Sequence, residues 1–361
     1  MGVIALAAVL LAGVTSAAPP LDVGRLDQAL QSDAAAGFSG VVLVAQGDSV
    51  LFERAYGAAA ASGVAPDRLA FWIASDSKQF TATATLRLAE MGRLHVTDSL
   101  PRFLARVPHD KQAITLRQLL THTSGLPHAY RTDGVTERDA AVNAELGLKL
   151  LAPPGAKYSY SNDGFTLLAA VVEIASGVRF DDFMHDSLFV PAGLTRTGTW
   201  GHVAATATIA PVADPRRLRG MRPTIWRGGH SVANWGYRGP TGVYSTARDL
   251  YQWIGALRSR RILGEAAVRE LLGRQALVRA DSTGESWTGY GWGVRVEGGR
   301  DISYGHTGSE DWLGHSSVMR FTPEGEVVIV LANSGERDGT GWASIANRTV
   351  RRVLDGAQSA R

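Results

Sequence analysis

Ser75-Asp76-Ser77-Lys78 places a lysine three residues after a serine, and Ser-x-x-Lys occurs once in the chain. A serine hydroxyl is a weak nucleophile until a neighbouring base takes its proton. Residues i and i+3 share one face of a helix. Lysine can serve as the base when its surroundings depress its pKa, whereas arginine cannot lose its proton in a protein. The chain has only four lysines, Lys78, Lys111, Lys149 and Lys157, against 33 arginines. A lysine here, in a chain that otherwise uses arginine, points to a chemical requirement. The competing reading is a surface lysine near a helix start, and the motif alone does not decide between them.

Two more short constellations carry chemistry. Tyr160-Ser161-Asn162, the only Tyr-x-Asn, lies between Pro153-Pro154-Gly155 and an apolar periodic stretch. It offers a phenol to relay a proton and an amide to bind a carbonyl. Its structural reading is Asn162 or Asp163 as a helix N-cap and Tyr160 as loop packing. His306-Thr307-Gly308 closes a strand-like run, where the glycine allows close backbone approach. Its structural reading is a polar strand end.

The elements that must position these residues follow from periodicity and punctuation. A short amphipathic helix is expected over 21–35. Strands are expected over 40–45 and 50–53, joined by turn residues 46–48. Phe80, Ala84, Leu88 and Met91 recur at helical spacing and Gly92 suits a helix end, which predicts a helix over 75–91. Further helices are expected over 114–121, 163–175 and 246–258, the last with Ser245 as N-cap. Strands are expected over 292–297, 302–306, 316–321 and 326–331, and a helix over 342–354. Strands at both ends with helices between imply an α+β fold. An antiparallel sheet flanked by helices would form from residues 19–95 and 235–361, with 96–234 as a mostly helical insertion.

Composition bounds the function. The 361 residues include 45% hydrophobic and 20% charged residues, which is globular. A formal charge of +3 is too small and dispersed to argue for nucleic acid. One arginine-dense stretch runs from Arg216 to Arg227 and reads as a solvated loop or a cleft wall. There is no cysteine, which excludes disulfides and thiolate chemistry. The apolar run Val3–Val14, followed by small residues to Ala18, reads as an export signal over residues 1–18, although no Lys or Arg precedes it. The expected location is periplasmic or secreted, with no stable membrane span. A Gly-x-Ser-x-Gly elbow and a His-Glu-x-x-His motif are both absent, which argues against an α/β-hydrolase and a metalloenzyme.

The three motifs, in this order and setting, resemble those of the penicillin-recognising serine hydrolases. The similarity is to the branch with class C β-lactamases, D,D-carboxypeptidases, D-aminopeptidases and related esterases. It extends to Ile73–Thr81, to Leu116–Pro127 with its Thr121-His122-Thr123-Ser124-Gly125, and to Gly242–Leu250 and Gly305–Ser317. It covers roughly residues 38–335 and implies the β-lactamase/transpeptidase-like fold.

The resemblance also implies roles. Ser75 would attack an acyl carbon, and Lys78 and Tyr160 would share the proton transfers. Asn162 would hold the substrate amide or the lysine. His306, Thr307, Gly308 and Ser309 would line the substrate. The backbone N–H groups of Ser75 and Ser309 would form an oxyanion hole, where losing one donor typically costs ~2.7–4 kcal/mol. No metal or cofactor is implied, and the partner would be a small-molecule or peptide substrate, peptidoglycan-derived material included. Many β-lactamases and carboxypeptidases have lysine where His306 stands. A histidine of ordinary pKa is about one-quarter charged at neutral pH, and Glu310 and Asp311 follow directly. These departures turn the expectation toward D-amino-acid peptides or small esters, with β-lactam hydrolysis and non-catalytic ligand binding as alternatives.

Overall fold

The run Gly40–Gln46 forms strand β1, and its first six residues are all buried. A strand covered on both faces has no reason to alternate, hence the continuous apolar sequence. The computed structural model describes residues 21–129, 135–199, 202, 204, 206–211, 234–310 and 314–359, with the backbone alone for Glu310 and 357–359. The expected export signal over 1–18, the arginine-dense stretch and Asp311 lie outside the described residues.

Strand β1 turns into β2 (Ser49–Tyr56), and β3 (Leu69–Trp72), β4 (Gly198–Thr199), β5 (Thr208–Ile209) and β6 (Val243–Ser245) follow. The C-terminal strands are β7 (Ala276–Asp281), β8 (Gly284–Thr288), β9 (Gly293–Glu297), β10 (Arg300–Glu310), β11 (His315–Phe321) and β12 (Glu326–Ala332). The helices are α1 (Val23–Ala35), α2 (Gly57–Ala61), α3 (Lys78–Glu90), α4 (Leu116–Leu120), α5 (Arg138–Leu146), α6 (Asn162–Ser176), α7 (Phe180–Met184), α8 (Val190–Ala192), α9 (Ala247–Arg258), α10 (Glu265–Leu272) and α11 (Trp342–Ser359).

Eight strands make one antiparallel sheet in the order β2-β1-β12-β11-β10-β9-β8-β7. The N-terminal hairpin thus joins the C-terminal strands in one antiparallel sheet, as the sequence predicts, and the register sets Gly40 opposite Ala332. On one face Val42, Val44, Val328 and Val330 pack with Leu26 and Leu30 of α1 and Ala343, Ala346 and Val350 of α11. On the other, Val41, Leu43, Ile329 and Leu331 meet the larger core around α3, α6 and α9. Each such buried side chain contributes roughly 1.5–3 kcal/mol.

Three expectations need correction. Strands β7 and β8 were not predicted: β7 is exposed at five of its six positions, so no apolar period marks it. The caps fall elsewhere, on Ser161 for α6 and on Thr246 for α9, because those side chains accept from Gly164 N and Asp249 N. Helix α3 starts at Lys78, not Ser75; residues Ala74–Ser77 form a 3-10 turn. Ala74 has φ of +47°, a left-handed conformation costly for a residue with a Cβ.

Candidate active site

The 3-10 turn sets the geometry of the first motif. With three residues per turn, side chains at i and i+3 eclipse, and Lys78 Nζ lies 3.0 Å from Ser75 Oγ. Helix α3 is buried along most of its length, so its hydroxyls must be satisfied within it or close by. Thr83 and Thr85 donate to the Gln79 and Thr81 carbonyls, and Thr81 donates to Gly239 O. The helix is therefore a rigid base for Lys78. The amino group is fully buried, donates to the Pro240 carbonyl at 2.9 Å and faces the rings of Tyr160 and Phe165.

Tyr160 arrives from the far side of the cleft. Its Oη lies 2.8 Å from Ser75 Oγ. The residue after it, Ser161, is locked three ways: its N–H donates to His122 Nδ1, its Oγ donates to Pro127 O, and the same Oγ accepts from Gly164 N. These bonds fix where the tyrosine leaves the loop and where α6 begins. Ser75 thus sits between Lys78 and Tyr160, each within hydrogen-bond reach of its hydroxyl. Such a group can attack an acyl carbon while passing its proton to either neighbour.

The third motif lies on β10, beside the turn. A Cβ on Gly308 would fall 2.2 Å from the Ile73 carbonyl and 2.9 Å from Ala74 Cβ. Only glycine lets the strand approach this closely, which brings β10 alongside the Ser75 turn. Thr307 and Ser309 on either side are exposed. His306 keeps 16% of its side-chain surface exposed. Burial, then the positive charge of Lys78, pushes its pKa down to about 4. The ring is therefore neutral at pH 7, not one-quarter charged as its ordinary pKa implies. Its Nδ1 lies 2.7 Å from Thr307 O. A carbonyl only accepts, so Nδ1 carries the proton and Nε2 is an acceptor. A cavity of about 530 Å³ opens here, with Tyr158, Tyr160, Trp287, Tyr304, His306 and Thr307 on its walls.

Asn162 stands apart from this pairing. Its amide nitrogen meets His128 Nε2 at 2.7 Å, and its Oδ1 is buried without a partner. Several residues that shape the site were not singled out by the sequence. His122 is buried, in a left-handed conformation, and stacks on Tyr160. Burial and the positive charge of Lys78 hold its pKa well below the ordinary range. Asp76 and Ser317 pack beneath the turn, and the Pro240 carbonyl holds Lys78. Pro240 and Ser317 lie far from the serine in sequence, and only the sheet pairing brings them near.

Comparison with known proteins agrees with this geometry. The family model described as Beta-lactamase matches residues 26–347. Penicillin-binding protein 4* of Bacillus subtilis is 30% identical over 319 residues, covering 83% of this chain and 69% of its own length. The penicillin-binding protein of Bacillus halodurans superposes with a TM-score of 0.72 at 24% identity, over 92% of this chain and 98% of its own. A D-amino acid amidase from Ochrobactrum anthropi SV3 gives 0.72 at 23% identity, over 94% and 98%. These two structures share the mixed α+β fold with its antiparallel sheet. On the extent of the family match, the chain belongs to the Beta-lactamase family and is a serine hydrolase of the β-lactamase and penicillin-binding-protein type.

Proposed function

We propose that this chain is an exported hydrolase that forms an acyl-enzyme on Ser75 and acts on D-amino-acid amides or peptides, or on small esters. The observation that carries the reading is the pair of contacts on Ser75 Oγ, 3.0 Å from Lys78 Nζ and 2.8 Å from Tyr160 Oη. Ser75 Oγ attacks the acyl carbon and its proton passes to the Lys78–Tyr160 pair. The same pair protonates the departing amine or alkoxide, then takes a proton from the water that releases the acid. The backbone N–H groups of Ser75 and Ser309 stabilise the oxyanion, and Thr307 and Gly308 align the substrate along β10. Asn162, tied to His128, borders the acyl group. Export rests on the apolar segment Val3–Val14, and no helix among the described residues is long and apolar enough to cross a membrane.

The substrate class follows from His306. Its Nδ1 is committed to Thr307 O, so its free nitrogen accepts a hydrogen bond. An acceptor favours an ammonium or amide N–H and disfavours the carboxylate that β-lactams and D-alanine termini present. The D-amino acid amidase from O. anthropi is a structural neighbour of this chain, and its substrate class is carried over here as a proposal.

A fluorophosphonate should label wild-type protein at Ser75 and leave Ser75→Ala unlabelled; equal labelling of both would overturn the assignment. Rates on a D-amino-acid p-nitroanilide, a short p-nitrophenyl ester and a chromogenic cephalosporin should then rank the cephalosporin last. Binding without turnover on all three would favour a binding protein instead.

A further inference from the structure

Asp76 follows the nucleophile directly, and its side chain is fully buried. Its Oδ2 lies 2.6 Å from Ser317 Oγ. Ser317 Oγ also lies 2.8 Å from the Ile73 carbonyl. A hydroxyl has one proton, and both of these neighbours accept if Asp76 is ionised. One of the two short contacts would then lack a proton. The other carboxylate oxygen, Oδ1, is buried with no hydrogen-bond partner, and His306 Nδ1 stands 4.0 Å away with its proton directed to Thr307 O. A buried carboxylate with an unsatisfied oxygen is costly. A protonated Asp76 removes the first difficulty, since it donates to Ser317 Oγ, which donates to Ile73 O, and it eases the second, since the unpartnered Oδ1 is then a neutral carbonyl oxygen and no longer part of a buried charge.

We propose that Asp76 is held as the uncharged acid and is a positioning residue for the Ser75 turn. The chain from Asp76 through Ser317 to the Ile73 carbonyl braces the strained Ala74, and loss of the Asp76 proton to solvent breaks it. This rests on Ser75 being the nucleophile. Burial pushes the Asp76 pKa up to about 7, opposed by the Ser317 hydroxyl and the charge of Lys78. Lys78 on α3 is the charge that acts on Asp76, and the ring of His306 on β10 stands nearest its free oxygen, with His315 on β11 and Tyr244 on β6 on the neighbouring strands. Burial pushes both histidines down to about 4, so neither is charged at pH 7. Ionisation has a second effect: a negative charge beside Lys78 stabilises its ammonium form and makes it a weaker base.

The test compares rates of fluorophosphonate labelling in wild type and Asp76→Asn across pH. The asparagine amide donates to Ser317 Oγ as the acid does but cannot ionise. The ratio of D76N to wild-type rates should rise about thirtyfold between about pH 6 and pH 8.5, because about nine wild-type molecules in ten keep the proton at the lower limit and only about one in thirty at the upper. A ratio that stays flat or falls overturns the proposal. Infrared spectra read the proton without catalysis: the wild-type minus D76N difference spectrum, in which every other buried acid cancels, should show a buried carboxylic acid C=O band at about pH 6 that is lost at about pH 8.5. A difference spectrum without that band at the lower pH also overturns it. Absence of Ser75 labelling at every pH would refute the nucleophile instead and leave the infrared result to judge Asp76.

Discussion

The ring of His122 lies against that of Tyr160, with centroids 4.4 Å apart and 31° between planes. The same histidine accepts the Ser161 N–H through Nδ1. It therefore positions the tyrosine twice, by its face and by its edge. His122→Phe keeps the face and leaves the Ser161 N–H unpaired, a loss of ~1–3 kcal/mol in stability with a smaller fall in activity. His122→Ala loses both, and kcat/KM should fall roughly 10–100-fold. Thermal unfolding and steady-state kinetics on the two variants check the split.

Lys78→Arg keeps a positive charge and removes a group that can lose its proton. Its kcat should fall at least ~10²–10⁴-fold, the usual worth of a positioned base. Single-turnover labelling of Ser75 measures this step directly. Substantial turnover would exclude a deprotonated lysine.

His306→Lys replaces an acceptor with a cation. The ratio of cephalosporin to ester kcat/KM should rise on the order of 10–100-fold, matching the ~1.5–3 kcal/mol of a charge-assisted hydrogen bond. Parallel rates on the two substrates read the ratio. A ratio that does not move would show that position 306 does not meet the substrate carboxylate.

Gly308→Ala drives a methyl group into the Ile73 carbonyl, 2.2 Å from the ideal Cβ position. The nearest neighbour is a backbone carbonyl and Ala74 Cβ, 2.9 Å away, cannot rotate aside, so relief requires β10 to move from the turn. Stability should drop by ~1–3 kcal/mol, and Ser75 labelling should slow by more than that drop explains. Denaturant unfolding with labelling rates on folded protein separates the two losses.

Glu145 is buried on α5 and shares a hydrogen bond with Asp163, whose Oδ2 accepts from Ala129 N in the loop beyond His128. Burial, then Asp163, raises its pKa from 4.5 to about 9. The folded protein keeps a proton that the unfolded chain releases, so stability falls as pH rises from 4.5 to about 9 and stays low above that. Glu145→Gln retains a donor to Asp163 and removes the titration. At pH 8 it should be more stable than wild type by ~1–3 kcal/mol, an advantage that disappears at low pH. A pH series of melting temperatures decides it.

Much of this was legible in the chain. The β1–β2 hairpin, α6 and β10–β12 follow from apolar period and turn residues, and the serine, lysine and tyrosine found together were each marked by a motif that occurs once. What stayed hidden depends on distance or exposure. Strand β7 is exposed and shows no period. Asp76 reads as a polar helix-start residue until Ser317 is seen beneath it. The neutrality of His306 comes from burial and a nearby charge, neither of which its position in sequence reveals.

The pairing of Gly40 with Ala332 has a consequence for biosynthesis. The third motif and the strand that seats it follow Ser75 by more than two hundred residues, and the sheet cannot close until β12 arrives. Contacts this distant in sequence form slowly. A nascent chain that has not yet reached β10 therefore carries Ser75 without the strand that packs against its turn. The site is therefore complete only once these C-terminal strands have docked against the N-terminal hairpin.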